Sequence, residues 1–349
     1  MRNLLPAAVK RALHQARALN IVLIGDAILD RYSFVQVLGL TSKNRTISTK
    51  RTRVENHPGG VLAVYRHLRA LGCHPTLITT TGTELDVRQF LQSYDLGPNA
   101  ERVIIAEAGH PTVVKEKFVE PSTDGLNKLF ATSVIPPAPI NPATEAAILS
   151  ALEDRVPSAD VVMAIDFGHG LMTERVRNFL QVESRFLALN CQTNSANHGQ
   201  NIINQQYQRA DAFSLDHQEI NLANHLAESD PTAALLQLGR QLNAHYAWLT
   251  LGATETIGVR LRSHPGRICR IPALAQHVVD PVGAGDAFFS SASLMAAAGA
   301  DISIATALSQ VSGAVATQIV GNRDPVSLQQ IQSAWHTLQP KPVTSPLPS

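Results

Sequence analysis

The stretch Asp280-Pro281-Val282-Gly283-Ala284-Gly285-Asp286-Ala287-Phe288-Phe289 joins a glycine hinge, a lone carboxylate and the start of an apolar helix. Gly283 and Gly285 let the backbone turn tightly and approach a ligand, and the alanine-rich run to Ala298 follows without a Gly or Pro break. The first N–H groups of such a helix have no partners within it, and together with the helix dipole they attract an anion such as a terminal phosphate. Asp286 at that position makes chemical sense if it takes a proton from an incoming nucleophile or helps to hold a cation. The plainer reading is a tight loop with an ordinary first-turn Asp.

Outward from this stretch, the pattern is one of alternating strands and helices. Asn20 to Gly25 is a short apolar run ending in Gly-Asp, the pattern of a buried parallel strand. A helix from Gly60 to Leu71 and a strand from Thr76 to Thr80 follow, then a helix through Phe90 and Leu91. Helices over 143–155 and 173–181 alternate with strands over 160–165 and 185–190, and strands near 211–215, 246–251, 256–261 and 267–272 come next. Three helices, near 284–298, 301–319 and 325–337, close the pattern. This predicts an α/β fold, a doubly wound and mostly parallel sheet with helices on both faces. Two stretches break the alternation: 41–57 reads as exposed strands and 111–133 as strands, and together with the rest of 31–57 they predict a small separate β-sheet. The boundaries that follow are an N-terminal amphipathic helix over 1–19, a main domain over 20–338 and a disordered tail over 339–349.

A formal charge of +1 favours neither nucleic acid nor an acidic membrane surface as partner, and no apolar run approaches the roughly 18 residues that span a bilayer. Cys73, Cys191 and Cys269 are odd in number and far apart, which fits reduced thiols in a cytoplasmic protein better than disulfides or a zinc site. Arg2, Lys10, Arg11 and Arg17 superficially suggest a transit peptide, but they run straight into the first strand without a cleavage-like spacer.

Asp280, Gly283, Ala284, Gly285, Asp286 and Phe288 match the second signature of the ribokinase, or PfkB, carbohydrate kinase family, which the chain resembles over roughly residues 20 to 335. Gly25-Asp26, Asp30, Gly59-Gly60, Glu219, Leu251-Gly252 and Gly258 fall in the family's order. The opening Gly25-Asp26-Ala27-Ile28-Leu29-Asp30-Arg31-Tyr32 resembles that of the heptose 7-phosphate kinases. The resemblance implies a ribokinase-like fold, ATP and magnesium as cofactors, a sugar or sugar phosphate as small-molecule partner, and a lid that often serves as a homodimer interface.

It also implies roles. Asp286 is the expected catalytic base, with the N–H groups of Gly283, Ala284 and Gly285 stabilising the moving phosphoryl group. Asp26 and Asp30 are expected to bind sugar hydroxyls beside the paired Gly59 and Gly60, and Asp166 and His169 to lie next to the substrate. Asp216 and Glu219 stand at the family's magnesium-organising element, with Glu219 the metal-organising acid; Thr250, Gly252 and Gly258 stand at its nucleotide loop, and Asp280 near a monovalent-cation site or the phosphate loop. Lys115 and Lys117, with the strip Lys43, Arg45, Lys50, Arg51 and Arg53, read either as binders of a phosphate already on the sugar or as a solvated strand face.

The chain departs from the family pattern at Ala63, Gln192 and Asp216. These positions keep open an alternative, a noncatalytic sugar- or nucleotide-binding member with a regulatory role.

Overall fold

The structure is a computed structural model and describes residues 5–93, 101–123, 125–224, 230–262, 266–275 and 277–347. The first four residues of the expected N-terminal helix, Asp124 of the lid turn and the last two residues of the tail lie outside the described residues.

The main sheet has ten strands. In chain order they are β1 (Ile21–Gly25), β4 (Thr76–Thr81), β5 (Arg102–Ala106), β8 (Val161–Asp166), β9 (Leu187–Cys191), β10 (Ala212–Asp216), β11 (Tyr246–Thr250), β12 (Glu255–Arg260), β13 (Arg267–Pro272) and β14 (Val343–Pro346). Labels β2 (Ala27–Leu40), β3 (Ile47–Gly60), β6 (Val113–Ser122) and β7 (Gly125–Val134) denote the lid. The spatial order is β14-β13-β12-β11-β10-β9-β8-β1-β4-β5. Every pair from β5 to β11 is parallel, and β12, β13 and β14 add an antiparallel edge.

All five residues of β1 are buried, as a strand covered on both faces requires. Its alternate side chains point into opposite cores: Ile21 and Leu23 join the cluster beneath α1 (Ala7–Arg17), α2 (Val61–Ala70), α9 (Ala284–Ala297) and α10 (Ile302–Ala316). Val22 and Ile24 join the other, beneath α4 (Pro142–Arg155), α5 (Glu174–Glu183), α7 (His217–Asn224) and α8 (Pro231–Gln241). Helix α1 docks through Val9, Ala12, Leu13 and Ala16, one apolar stripe at helical spacing. The remaining helices are α3 (Leu85–Ser93), α6 (Ile203–Gln206) and α11 (Leu328–Leu338).

The lid is a separate four-stranded sheet of order β3-β2-β6-β7. Its long β2–β3 hairpin grows directly out of the carboxyl end of β1 and returns directly into α2, so the inner ends of the hairpin stand over the sheet. A small cluster of Tyr32, Phe34 and Val119, with Leu126 and Val320 packed against it, seats the lid on the core. The outer halves of β2 and β3 are exposed, and Lys43 and Arg45 of the turn between them, with Lys50, Arg51 and Arg53 of β3, stand at this end, away from the residues that line the cavities below. Arg53 pairs with Glu55 and lies over the Phe34 ring.

Residues 343–346, expected in a disordered tail, instead form β14, antiparallel to β13. All four of its side chains are exposed, so the strand is held by backbone pairing and by Leu347 packing on the core, which leaves no apolar alternation in the sequence to betray it.

Candidate active site

Two helix starts converge beyond the carboxyl ends of the parallel strands, where open sheets of this kind hold ligands. Gly283 caps α9 with φ +86°, a left-handed turn that costs an L side chain about 1–2 kcal/mol. A Cβ there would also lie 2.0 Å from Oδ1 of Asn322, so that side chain would have to move to admit it. Gly60 caps α2 with φ +57°, where a Cβ would meet the carbonyl of Asp26 at 2.4 Å. By contrast, nothing lies within 4 Å of the corresponding point on Gly285, which leaves open space over the first turn of α9.

These elements enclose a polar cavity of about 370 Å³. Of the predicted residues, Asp30, Gly60, Lys115, Asp216, Glu219, Thr250, Gly283, Gly285 and Asp286 line it. Strand periodicity explains the lid's part: Lys115 and Lys117 are two apart on β6 and face the same way, opposite Asp30 and Tyr32 of β2. Lys117 donates to Asp30 at 2.6 Å, and the Lys115 ammonium lies 4.6 Å from the centre of the Phe167 ring.

Asp286 is buried in the first turn of α9, and its pKa is pushed up to about 7, first by burial, then by the negative charge of Asp30; Lys115 and Asn322 pull it the other way. Burial draws the Lys115 ammonium below its ordinary value, with Asp30 opposing. Glu219 is pushed up to about 8 by burial and by its neighbour Asp216. Those two acids form a reciprocal cap on α7: Asp216 Oδ1 accepts from the N–H of Glu219, and Glu219 Oε2 accepts from the N–H of Asp216, both at 2.9 Å.

A second, more apolar cavity of about 290 Å³ shares Thr250, Gly285 and Phe288 with the first and extends between α9, α10 and the turn after β11. Gly252 and Ala284 line it, with Ala273, Leu274, Gln310 and Thr317.

Five expected site residues fall elsewhere. Asp26 is buried and does not line the main cavity, its Oδ2 accepting from the N–H groups of Phe167 at 3.0 Å and His169 at 3.4 Å. Asp26 and His169 line a separate polar void of about 10 Å³ with His110 and Thr112, room for about one water. Burial, then the charge of Asp166, pushes Asp26 up to about 7, and burial draws the His169 imidazole down to about 4. Asp166 is spent on structure: it accepts from Tyr207 Oη at 2.7 Å and from the N–H of Gly168 at 2.8 Å. Gly258 belongs to the interior of the sheet, since a Cβ there would strike Thr306 and the Trp248 indole, which are themselves hydrogen-bonded. Asp280 is wholly buried at the seam between lid and core and lines neither cavity. Gly59 stays beside the site, with its backbone against the Asp30 carboxylate.

Asn322 lines the main cavity and had no signal in the sequence, because it lies in a short loop after α10 rather than at a strand end. Asn190, Ser214 and Phe167 line it too, at or just beyond strand ends, where position alone points to them.

Fold and site together resemble those of the PfkB-type carbohydrate kinases. Residues 191–328 match the family described as pfkB family carbohydrate kinase. It is 25% identical over 329 residues to the bifunctional protein HldE of Hyphomonas neptunium, covering 94% of this chain and 66% of that one. It is 26% identical over 305 residues to HldE of Nitrobacter hamburgensis, covering 85% and 60%. The chain thus spans less than two thirds of the length of these relatives. Among solved structures, phosphofructokinase-2 from Escherichia coli in complex with substrates and products superposes with a TM-score of 0.72 at 13% identity, covering 92% of this chain and all of that one. Ribokinase from Thermotoga maritima superposes with a TM-score of 0.66 at 16% identity, covering 91% and 99%. These likenesses place the fold among the ribokinase-like kinases.

Proposed function

We propose that the chain transfers the γ-phosphoryl group of ATP to a hydroxyl of a sugar phosphate, with heptose 7-phosphate, taken at its anomeric hydroxyl, the foremost candidate. The single observation that carries this reading is the Asp286 carboxyl, poised at about 7 in the first turn of α9 on the wall of a polar cavity. In the reaction its carboxylate takes the acceptor hydroxyl's proton as the new oxygen–phosphorus bond forms and the bond to the departing ADP breaks. The N-terminus of α9 faces the charge that develops on the phosphoryl oxygens.

The residues fit ATP and magnesium. The apolar cavity beside Gly252 and Gln310 suits a purine, and the open space over Gly285 admits a phosphate chain. Glu219 and Asp216 supply the one or two carboxylates with which magnesium, retaining most of its water, is ordinarily held beside phosphates. When bound, the metal neutralises phosphate charge. Lys115 and Lys117 favour an acceptor that already bears a phosphate, and Asp30 suits its hydroxyls. The lid's exposed Leu38, Leu40, Ile47 and Phe130 support a homodimer formed through it. Among the described residues no helix is long and apolar enough to cross a membrane, and three buried free cysteines accord with a cytoplasmic setting.

The test is ADP release from MgATP across a panel of sugar phosphates that includes heptose 7-phosphate. Turnover with a sugar phosphate, absent with the unphosphorylated sugar, is the expected result. Thermal stabilisation by ligands with no ADP released by any of them would replace this reading with that of a noncatalytic binder.

A further inference from the structure

The carboxylate of Asp280 has no exposed surface, yet it is ringed by donors from four separate places in the chain. Tyr32 Oη of β2 donates to Oδ2 at 2.6 Å, and Lys128 Nζ of β7 donates to Oδ1 at 2.9 Å. The backbone N–H of Gly321 donates to Oδ2 at 2.9 Å, and that of Val282 to Oδ1 at 3.2 Å. Two of these donors belong to the lid; the other two are the residue before Asn322 and the residue before Gly283. Asn322 and Gly283 pack on one another at the mouth of α9 and both line the main cavity. The Tyr32 ring also lies where a Cβ on Gly321 would stand, so lid and loop interlock sterically as well as by hydrogen bonds.

Among the described residues, Lys128 alone places a cationic side chain within ion-pair distance of Asp280, and it reaches there from the lid. Its side chain remains 40% exposed, so water follows it to the edge of the seam. A buried carboxylate left without its counter-charge is unfavourable, and the surrounding backbone rearranges to recover one. From this geometry we propose that Lys128 is a tethered counter-ion: it positions the Val282–Gly283 and Gly321–Asn322 turns for anion binding only while the lid is seated, and so makes the cradle at α9 conditional on lid docking. Lys128 is therefore a positioning residue, acting through Asp280. The inference is independent of which acceptor the chain uses.

The test replaces Lys128 by Ala, which opens a solvent path to Asp280, and by Gln, which keeps a donor on a shorter stem without the charge. Amide exchange is followed at Val282 and Gly321 by residue-resolved mass spectrometry or NMR, in tetramethylammonium chloride and in ammonium or potassium chloride at equal ionic strength. In the unaltered chain, protection at both amides is expected to be the same in all three salts. In K128A both amides are expected to exchange at least roughly tenfold faster in tetramethylammonium, an opening cost of about 1.4 kcal/mol lost, and potassium or ammonium is expected to restore the protection. K128Q is expected to follow K128A, because the charge and not the hydrogen bond is at issue. Unchanged exchange in K128A, recovery that is equal in tetramethylammonium, or full protection in K128Q would each overturn the proposal. Since no turnover enters the readout, a chain that proved to be a noncatalytic binder would leave this outcome readable.

Discussion

Asp280 and Asp286 are six residues apart, both buried, and held in opposite electrostatic states. At the lid seam, burial alone would raise the Asp280 pKa, but Tyr32, Lys128 and the Gly321 N–H outweigh it and hold the carboxyl below its ordinary value. At the cavity, Asp286 faces Asp30, finds too few donors to offset burial, and rises to about 7. One carboxylate is therefore a permanent anion around which the backbone is arranged, and the other is a group that can exchange its proton near neutrality. Donor supply, more than depth, separates a structural acid from a reactive one.

The sharpest way to break that contrast is to neutralise each in turn. Asp286→Asn keeps shape and removes the base, so kcat should fall by roughly 10²–10⁴-fold while MgATP affinity changes little. Steady-state ADP release with the best acceptor, alongside calorimetric titration of MgATP, checks both halves. Near-normal turnover in this variant would remove Asp286 from the chemistry.

Stability should separate the two acids by sign. The Asp286 carboxyl holds its proton to about 7 when folded and to an ordinary 3.8 when unfolded, so ionising it opposes folding. Its contribution worsens as the pH rises from about 4 to about 7, by an amount on the order of a few kcal/mol. Asp286→Asn should therefore gain Tm over the unaltered chain at pH 8 and gain little at pH 5. Asp280 has its folded pKa depressed, so its contribution is present above the unfolded value and is lost as pH falls through the folded one. Asp280→Asn should lose about 1–3 kcal/mol at pH 7, through the broken donor ring, and lose less in acid. Paired melting curves across pH 4–8 decide the matter, and parallel curves for the two variants would erase the distinction.

The contrast also marks what the sequence could disclose. The turn Gly283 to Asp286 was legible because its chemistry is local: a left-handed glycine, an open first turn and an acid follow one another in a few residues. The alternation of buried strands and helices made the sheet legible for the same reason, and the lid stood out where that alternation broke. Asp280 read as lying near a monovalent-cation site or the phosphate loop, and its partners Tyr32 and Lys128 stand 248 and 152 residues away in the chain, beyond the reach of any local pattern. Asp26, Asp166 and His169 stand at strand ends as expected, yet each carboxylate there is occupied by nearby donors, backbone N–H groups for Asp26 and both backbone and side chains for Asp166, which only the packed loop reveals. Strand β5 and helix α8 carry no motif, and they have no counterpart among the elements expected from the sequence. The basic strip was resolved only by register, which turns Lys115 and Lys117 inward and leaves the hairpin's own lysines and arginines at its outer end.

A smaller effect is expected where geometry rather than charge is disturbed. Gly283→Ala forces a side chain into a left-handed backbone and onto Asn322 Oδ1, which shifts the cradle beside Asp286. A penalty of about 1–2 kcal/mol from the backbone alone corresponds to roughly five- to thirty-fold in phosphate affinity or turnover. Titration with MgADP and ADP-release kinetics read the two separately. An alanine variant that binds and turns over as well as the unaltered chain would mean that the turn does not face the phosphates.

The finest adjustment is to alter Asp286 without touching it. Asp30 stands across the cavity and is, after burial, the largest cause of the raised value. Asp30→Asn removes that repulsion and also frees Lys117, whose ammonium it holds at 2.6 Å, so both changes favour the Asp286 carboxylate. A base must be ionised to act, so kcat/KM should climb with pH through about 7 in the unaltered chain. In Asp30→Asn that climb should begin earlier, displaced toward acid by roughly one unit or less, equivalent to at most about 1.4 kcal/mol. Lost sugar contacts would lower the whole profile without moving it, so position on the pH axis separates the electrostatic role of Asp30 from its place in acceptor binding. An unmoved limb would mean that burial by itself sets the proton affinity of Asp286, and the difference from Asp280 would then rest on the donors at the seam alone.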